Sequence, residues 1–350
     1  MKILFTSVEY DQYNPRRGKS FEYHNFYLQF KAMSHEVRYV PFDRILEVGK
    51  KKFNEDLLHE VQEFQPELLF AFMYTDEFDP NILDQIKKKT TSVAWFSDDS
   101  WRFWNYSRFW APHFSAVITT FSWMPQYYKK YGQPNVIRSQ WGMNASVYKP
   151  TSLDGSEKRP DVTFVGGWSK PRGKIVEAIK REGIPVEVFG GGWPKARRAS
   201  DEEMVKLFGV SKISLALNPP PGYFNKNSLG RILFRRSRDK IVPDFHLFSN
   251  FRAWLDRGTP QIKGRHFEIP ACGGFLLTSP ADDLENFYVP GEEMVLFRDL
   301  NDYIEKIRYY LNHDSEREAI AKAGYERTMR GHTYEARSKE IFRKLGLNGK

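Results

Sequence analysis

Glu268 lies in a segment of the second half of the chain in which the sequence signals of a helix, a turn and a strand follow one another. The run Gly264-Arg265-His266-Phe267-Glu268-Ile269-Pro270-Ala271-Cys272-Gly273-Gly274 leads into the apolar segment Phe275–Thr278. This pattern predicts a short helix that carries Glu268, a turn of small residues, and a strand that the helix approaches closely. A carboxylate held there can accept two charge-assisted hydrogen bonds from hydroxyl groups. The alternative is a salt bridge on the helix surface.

Two neighbouring carboxylates, Asp98 and Asp99, follow the predicted strand Ser92–Phe96. Ligands of parallel sheets bind at the carboxyl ends of the strands, so both side chains are placed to face a ligand. Either carboxylate could take a proton from an acceptor hydroxyl. The alternative is capping of the helix that begins in the aromatic run Trp101–Trp110. His24, just after the first loop, is a weaker candidate base.

A basic stretch from Pro219 to Lys263 contains nine Lys or Arg residues against three Asp, so about +6 of the net charge of +9 lies in it. If residues 228–239 form a helix, Arg231, Arg235 and Arg238 share one face. Such a face suits an anionic acceptor polymer or an anionic lipid surface. A solvated basic helix is an equal alternative.

Several well-known motifs are missing from the sequence. No Gly-x-Gly-x-x-Gly follows the first predicted strand, and Gly190-Gly191-Gly192 continues into Trp193-Pro194 instead of a helix. This argues against a dinucleotide oxidoreductase, and the lack of a Gly-x-x-x-x-Gly-Lys-Ser/Thr motif argues against a P-loop protein. The histidines and the single cysteine, Cys272, show no zinc spacing, and one cysteine allows no internal disulfide.

Several segments together resemble one family, the CgeB-like (spore-maturation protein) glycosyltransferases. These are similar in fold to the large retaining glycosyltransferase family four. The resemblance covers most of the chain except about Pro219–Pro260. The segments that carry it are Lys263–Thr278, Phe287 with Gly291, Ala321–Gly324, His332-Thr333-Tyr334 with Arg337, Trp95–Asp99 and Ser139–Asn144.

The resemblance implies the GT-B fold, an α/β architecture of two Rossmann-like lobes with a cleft between them. Residues 1–150 would form the acceptor lobe, and residues 151–331 the nucleotide-sugar lobe with the basic insertion 219–263. Residues 332–350 would form a helix that returns to the first lobe. The implied activity is metal-independent transfer of a sugar from a UDP- or GDP-linked donor to an acceptor hydroxyl, without a cofactor.

The resemblance also assigns roles around the donor. Glu268 matches a glutamate that contacts the ribose, whereas the family's other glutamate is replaced by Pro260, which leaves the donor sugar and the stereochemical outcome open. The turn before Arg172 resembles one that holds phosphates: Gly167 permits close backbone approach, and Arg172 can bind two phosphate oxygens at once. Lys170 adds charge to the same turn. The alternative is that both cations are solvated.

Further donor contacts are expected around this turn. The helix start at Gly264 and Arg265 would offer free backbone amides and a second phosphate-binding arginine. The base would lie near Trp193 or Asn218, at the ends of the next two strands. Trp193 could stack on the base, or it could be a lid or core aromatic.

The remaining sequence predicts the scaffold that positions these residues. Short apolar runs alternate with helical patterns before and after a polar linker at Tyr148–Pro160, which predicts two parallel sheets covered by helices. A length of 350 residues suits two domains. No apolar run approaches the ~18 residues of a membrane span. We therefore expect a cytoplasmic protein, with peripheral contact to the inner membrane face left open.

The expected partners are a nucleotide-sugar donor and a saccharide, lipid-linked or polymer acceptor. Nucleic acid is not expected, because the positive charge lies in one insertion that has no recognisable nucleic-acid-binding module. A different class of function remains open: a non-catalytic nucleotide- or glycan-binding protein on the same scaffold. Pro260 favours that alternative, because it removes a carboxylate from the donor site.

Overall fold

The computed structural model describes residues 1–152, 159–219 and 226–347. The chain forms two compact units. The first unit comprises Met1–Gln140, Tyr223–Arg257 and Tyr334–Lys350. The second unit comprises Trp141–Gly222 and Gly258–Thr333.

The first unit is built on a six-stranded parallel sheet of order β2-β1-β3-β4-β5-β6. Its strands are β1 (Lys2–Thr6), β2 (Glu36–Tyr39), β3 (Leu68–Phe72), β4 (Thr91–Phe96), β5 (Ala116–Thr119) and β6 (Val136–Arg138). Strands β3 and β4 are almost entirely buried. Helices cover both faces of a parallel sheet, so continuous apolar runs are the expected sequence of its central strands.

Helices of the first unit alternate with these strands. They are α1 (Leu28–Ala32), α2 (Ile45–Phe64), α3 (Pro80–Lys87), α4 (Asp99–Arg102), α5 (Arg108–Trp110) and α6 (Met124–Lys130). Two π-helical turns, Tyr23–Tyr27 and Phe103–Ser107, interrupt the helical runs around α1 and α4. Short 3-10 turns lie at Asp11–Tyr13, Pro15–Arg17, Phe42–Arg44 and Ala111–His113.

The second unit contains a five-stranded parallel sheet of order β13-β12-β9-β7-β8. Its strands are β7 (Val162–Val165), β8 (Glu187–Phe189), β9 (Ile213–Ala216), β12 (Leu276–Thr278) and β13 (Val295–Leu296). Its helices are α7 (Lys170–Arg181), α8 (Asp201–Val210), α11 (Arg265–Ala271), α12 (Leu300–Asn312) and α13 (Asp314–Gly331), and a 3-10 turn lies at Leu284–Asn286. The predicted α/β class with parallel sheets is confirmed in both units.

The basic insertion packs within the first unit, although the sequence placed it in the second lobe. Its described part consists of α9 (Lys226–Leu233), the strands β10 (Phe234–Ser237) and β11 (Lys240–Pro243), and α10 (Leu247–Asp256). The final helix α14 (Tyr334–Lys344) also belongs to the first unit, where the Tyr334 ring lies 4.6 Å from that of Phe26.

The helix predicted over 228–239 is wrong beyond Leu233. Arg235 lies in β10, which pairs antiparallel with β11, and Arg238 sits in the intervening turn with a φ of 54°. Tertiary contacts stabilise this hairpin. Arg235 forms a 3.0 Å salt bridge with Asp76, which also accepts a 2.8 Å hydrogen bond from Ser237. The three arginines therefore do not share a helix face.

Candidate functional site

The turn after β7 is joined to the turn after β8 at the carboxyl edge of the second sheet. The Gly166 amide donates to the Phe189 carbonyl at 2.8 Å, and the Trp168 amide donates to the Gly191 carbonyl at 2.9 Å. A Cβ atom on Gly190 would overlap the Gly166 carbonyl oxygen, and Gly190 has a φ of 147°. Only glycine fits there, so this residue brings the two strand ends together.

Arg172 ties this turn to the end of β9. Its backbone amide donates to the Ser169 hydroxyl, which caps α7. Its Nε donates to the Leu217 carbonyl at 3.0 Å and its Nη1 to the Gly167 carbonyl at 2.8 Å. Burial and the nearby Arg265 guanidinium lower the pKa of Arg172. The structure therefore brings the two predicted phosphate-binding arginines together.

Arg265, the first residue of α11, reaches back toward the end of β7. Its Nε donates to the Val165 carbonyl at 3.4 Å, and its guanidinium lies 5.0 Å from the Phe208 ring centroid. It also forms an ion pair with Glu268, one helical turn further along. Burial acts to lower the pKa of Arg265, but the pairing with Glu268 holds it above its ordinary value.

Glu268 is fully buried, with 0% of its surface exposed. Its Oε2 accepts from Arg265, so the salt bridge that the sequence offered as an alternative is present. Its Oε1 has no hydrogen-bond partner among the described residues. A buried acceptor without a partner costs about 1–3 kcal/mol, so a ligand hydroxyl that reached Oε1 would be stabilised there.

Two backbone amides at the start of α11 are already bonded within the turn that precedes the helix. The His266 amide donates to the Lys263 carbonyl at 3.1 Å, and the Phe267 amide donates to the Gly264 carbonyl at 2.9 Å. These two amides are therefore not available to a ligand, whereas the free donors expected at Gly264 and Arg265 themselves stay a prediction. A tight turn before the helix uses donors that a regular α-helix would leave unpaired.

His266 is a contributor that the sequence interpretation missed. Its Nε2 lies 3.1 Å from the Thr278 hydroxyl, at the end of β12. Burial lowers the pKa of His266 to about 4, so the ring is neutral near pH 7. The ring joins α11 to the sheet and so positions Arg265 and Glu268. The only sequence signal for this role is its place inside the Glu268 run.

Trp193 is anchored to the turn after β7 and to the core of the second unit. Its Nε1 donates to the Gly166 carbonyl at 2.8 Å, and its ring packs edge-on against Phe164 at 5.8 Å. Of the roles considered for Trp193, packing against the core is the one that these contacts show. Trp168, in the turn after β7, is 48% exposed, and the sequence interpretation did not propose it as a stacking residue.

The other predicted donor residues lie around the same edge. Lys170 is the exposed first residue of α7, and Gly167 is exposed in the turn before it. Asn218 is half-buried just beyond β9. Pro260 is exposed in the loop before α11, and it brings no carboxylate to this loop position.

In the first unit, Asp98 and Asp99 follow β4 as predicted but differ in accessibility. Asp98 is partly exposed at the start of α4, and its side chain makes no capping hydrogen bond. Asp99 is fully buried and accepts a 2.8 Å hydrogen bond from the Tyr128 hydroxyl. Burial raises the pKa of Asp99 to about 7, although the Ser107 and Thr119 hydroxyls act in the opposite direction.

His24 lies in the π-helical turn Tyr23–Tyr27 and is half-buried. Its ring packs edge-on against Tyr23 at 5.7 Å. Glu22 precedes this turn, and burial raises the pKa of Glu22 to about 7.

The insertion brings arginine side chains close to Asp98. Desolvation, Arg102 and Arg236 lower the pKa of Arg231, whereas the Asp98 carboxylate acts to raise it. Arg102 and Arg236 also share Tyr74 in an arginine cluster, since Arg102 donates to its carbonyl and Arg236 to its hydroxyl, each at 2.9 Å. Arg235 and Arg238 are bound elsewhere, since Arg235 pairs with Asp76 and the Arg238 amide donates to the Thr75 hydroxyl at 2.9 Å.

Metal-binding clusters and membrane-spanning helices are both absent from the described residues. Within 1–152, 159–219 and 226–347, no three His, Cys, Asp or Glu side chains are grouped as a metal site. Over the same ranges, no helix combines the length and the apolar character that crossing a membrane requires.

Comparison with known proteins shows which sequences this chain resembles. A profile described as "Glycosyl transferase-like" matches residues 172–343, which include Arg172, Arg265 and Glu268. Spore protein CgeB of Bacillus subtilis (strain 168) is 23% identical over 284 residues, 79% of this chain and 82% of that protein. In sequence, this chain is therefore similar to CgeB and to the glycosyl transferase-like family.

Solved structures show the fold of this chain. Sucrose-phosphate synthase from Thermosynechococcus elongatus aligns with a TM-score of 0.62 at 14% identity, over 99% of both chains. Anabaena Alr3699/HepE in complex with UDP-glucose aligns with a TM-score of 0.57 at 11% identity, over 99% of this chain and 100% of that one. These likenesses confirm the predicted GT-B fold with two Rossmann-like lobes.

Proposed function

We propose that this protein transfers a sugar from a nucleotide-diphosphate donor to an acceptor hydroxyl. The donor nucleotide binds at the carboxyl edge of the sheet in the second unit. One observation carries the proposal: Arg172 and Arg265 both donate to carbonyls at the end of β7, those of Gly167 and Val165, and Arg265 acts with burial to lower the pKa of Arg172. Two partly buried cations repel each other, and an anion bound between them removes that repulsion.

A diphosphate has the charge and shape for this pair of arginines. Each planar guanidinium can bind two phosphate oxygens. The transfer reaction leaves negative charge on the departing diphosphate, and positioned donors stabilise that charge in the transition state. We propose that the arginines supply this charge without a metal ion. Lys170 and the Gly167 backbone lie in the adjoining turn, where they add further contacts.

When the donor binds, its ribose replaces Arg265 as the partner of the Glu268 carboxylate. In the described structure the carboxylate is fully buried and pairs with Arg265. We propose that the Arg265 side chain, which is partly exposed, turns toward the diphosphate when the donor binds. The carboxylate can then accept hydrogen bonds from the two ribose hydroxyls. The ion pair thus holds both groups ready in the absence of the donor.

The donor base is proposed as uracil or guanine. The structure of Anabaena Alr3699/HepE contains UDP-glucose, and its fold aligns over 99% of this chain. Of the two tryptophans at this edge, Trp168 is the better stacking surface. It is exposed, whereas the Trp193 ring packs on Phe164.

On the acceptor side, we propose Asp98 as the base that takes the hydroxyl proton. It is partly exposed, whereas Asp99 is fully buried and bound to Tyr128. The acceptor is a saccharide, a lipid-linked sugar or a polymer. The arginine cluster beside Asp98 favours an acceptor that carries negative charge.

Calorimetry with UDP and GDP in the presence of EDTA tests the donor proposal. We expect one of the two to bind, and Arg172→Gln and Arg265→Gln each to weaken it by about tenfold to a hundredfold. Arg181→Gln, an exposed change at the end of α7, is the matched control. The donor site is refuted if neither nucleotide binds, or if the control weakens binding as much. Binding that EDTA abolishes would refute metal independence alone.

A non-catalytic nucleotide-binding protein is the second candidate, because Pro260 places no carboxylate in the loop before α11. Release of nucleoside diphosphate from a panel of sugar donors, with mixed saccharide acceptors, separates the two candidates. Turnover of any donor supports the transferase. Tight nucleotide binding without release from any donor supports the binding protein.

A further inference from the structure

Helix α10 in the insertion presents its apolar side to solvent. Its exposed side chains include Leu247, Phe248, Phe251 and Leu255, which recur at helical spacing along one stripe. A helix on the surface of a water-soluble domain normally has the reverse arrangement, with charged residues on this side.

The opposite side of α10 is fixed to the first unit by polar contacts. The Asn105 amide donates to Asn250 at 2.9 Å, and the Trp254 indole donates to the Ser228 hydroxyl at 2.9 Å. Arg108 donates to Ser249 at 3.0 Å. The apolar stripe is therefore held outward by the packing of the helix.

The neighbouring hairpin adds to the exposed apolar area. Phe234 on β10 and Ile241 on β11 lie on the same side of the antiparallel pair, and both are exposed. The segment between β11 and α10 carries Phe245, which is 88% exposed, and Phe248 at the start of α10 is 94% exposed. We call these exposed apolar side chains of the hairpin, the connecting segment and α10 the insertion face: Phe234, Ile241, Phe245, Leu247, Phe248, Phe251 and Leu255.

Basic residues lie next to members of the insertion face: Arg236 is the cross-strand partner of Ile241, and Arg252 follows Phe251 in the chain. Residues 226–257 contain eight Lys or Arg against three Asp, a net charge of +5. Arg236, Lys240 and Arg252 are exposed. Apolar side chains flanked by basic ones are the composition of a surface that enters the headgroup region of an anionic bilayer.

We propose that the insertion face docks onto an anionic phospholipid surface, with Phe245 and Phe248 inserted among the acyl chains and the basic residues contacting the headgroups. A second copy of this chain is a poorer occupant. A self-complementary interface would bring the positive residues of one copy against those of the other. The proposal does not depend on the donor site, because every residue of the insertion face belongs to the first unit.

Co-sedimentation with lipid vesicles tests the proposal. One set of vesicles consists of phosphatidylcholine alone, and the other contains about one third phosphatidylglycerol, which is anionic. We expect binding to the anionic vesicles and at least about tenfold weaker partitioning for Phe245→Ser/Phe248→Ser. Leu46→Ser/Val48→Ser is the matched control, since it removes two exposed apolar side chains elsewhere in the first unit. This control should partition like the unmodified protein.

A charge reversal tests the second half of the proposal. Arg236→Glu, on the same side of the hairpin as Phe234 and Ile241, should weaken partitioning by roughly fivefold or more, whereas Arg181→Glu, an exposed arginine of α7, should have little effect. Equal binding of Phe245→Ser/Phe248→Ser and the unmodified protein would overturn the proposal, as would no binding to anionic vesicles. The proposal would also be overturned if sedimentation equilibrium showed that the unmodified protein is a dimer and the double variant a monomer. The insertion face would then be covered by a second copy of the chain. Nucleotide binding by the double variant shows that it is folded and that the donor site is independent.

Discussion

Glu268 pairs with Arg265 through its Oε2 oxygen, while its Oε1 stays buried without a hydrogen-bond partner among the described residues. The carboxylate is therefore only half satisfied. A buried carboxylate in that state is unfavourable unless a further donor reaches it. This relationship makes Glu268 the most direct test of how the donor is bound.

Replacing Glu268 with alanine should weaken the binding of the preferred nucleoside diphosphate by about tenfold to a hundredfold. The change removes charge-assisted hydrogen bonds to the ribose, each of which contributes about 1.5–3 kcal/mol. Isothermal calorimetry measures the effect. Glu177→Ala, an exposed change on α7, is the control. Unchanged affinity for Glu268→Ala, with weaker binding for Arg265→Gln, would contradict ribose contact and leave Glu268 with a positioning role only.

Trp168→Ala should weaken nucleotide binding by about tenfold, because base–aromatic stacking contributes about 1–3 kcal/mol. Trp168→Phe keeps an aromatic surface and should retain most of the affinity. Trp193→Ala should instead lower the melting temperature, since it removes the hydrogen bond to Gly166 and the contact with Phe164. Quenching of tryptophan fluorescence by nucleotide, compared between the variants, assigns the stacking residue. The idea fails if Trp168→Ala binds nucleotide normally.

Gly190→Ala should destabilise the protein and also weaken nucleotide binding. The new methyl group would overlap the Gly166 carbonyl, and the backbone there has a φ that L residues rarely adopt. Such strain costs about 1–3 kcal/mol. Thermal and urea unfolding measure the loss. Gly191→Ala is a close control, because a Cβ atom there meets no atom within 4 Å. Equal tolerance of both changes would contradict this packing of the turn.

The regular parts of the fold were predictable from local patterns. The apolar run Ser92–Phe96 predicted the buried strand β4, and the apolar segment Phe275–Thr278 predicted β12. These elements form where local sequence preference and burial agree. The resemblance around Glu268 likewise pointed to the helix and strand that the structure shows, α11 and β12.

The insertion was not predictable in the same way. A helical pattern of arginines suggested one helix, but β10 and β11 pair because Asp76 and Thr75 bind Arg235, Ser237 and the Arg238 amide. These partners lie far away in sequence, so a local pattern cannot reveal them. The exposed apolar stripe of α10 has the helical periodicity of a core face, so only the structure shows that it points outward.

Stability should fall as the pH rises from about 4 to 7, through the ionisation of Asp99. Burial raises the pKa of this carboxyl to about 7 from 3.8, so the folded protein holds the proton more tightly than the unfolded chain. The protonated Asp99 carboxyl therefore contributes of the order of 4 kcal/mol to the free energy of unfolding. This contribution is fully present below about pH 4 and is lost as the pH rises through the pKa of the folded protein.

The comparison with Asp99→Asn isolates this contribution from other titrating groups such as Glu22 and His266. The amide variant should gain stability relative to the unmodified protein as the pH rises from 4 to 8, measured by urea unfolding. Tyr128→Phe removes the hydroxyl that donates to Asp99 and should move the midpoint to higher pH. A stability difference that does not change with pH would contradict the raised pKa.

Asp98→Asn should lower the rate of sugar transfer by about a hundredfold to ten-thousandfold while leaving nucleotide affinity unchanged. General base catalysis contributes on that scale, and an amide cannot accept the proton of the acceptor hydroxyl. The donor residues belong to the second unit and Asp98 to the first, so calorimetry with the diphosphate should not detect the change. Asp239→Asn, in the exposed turn between β10 and β11, is the matched control. Full transfer activity in Asp98→Asn would exclude it as the base and direct attention to His24, the remaining candidate that is not fully buried.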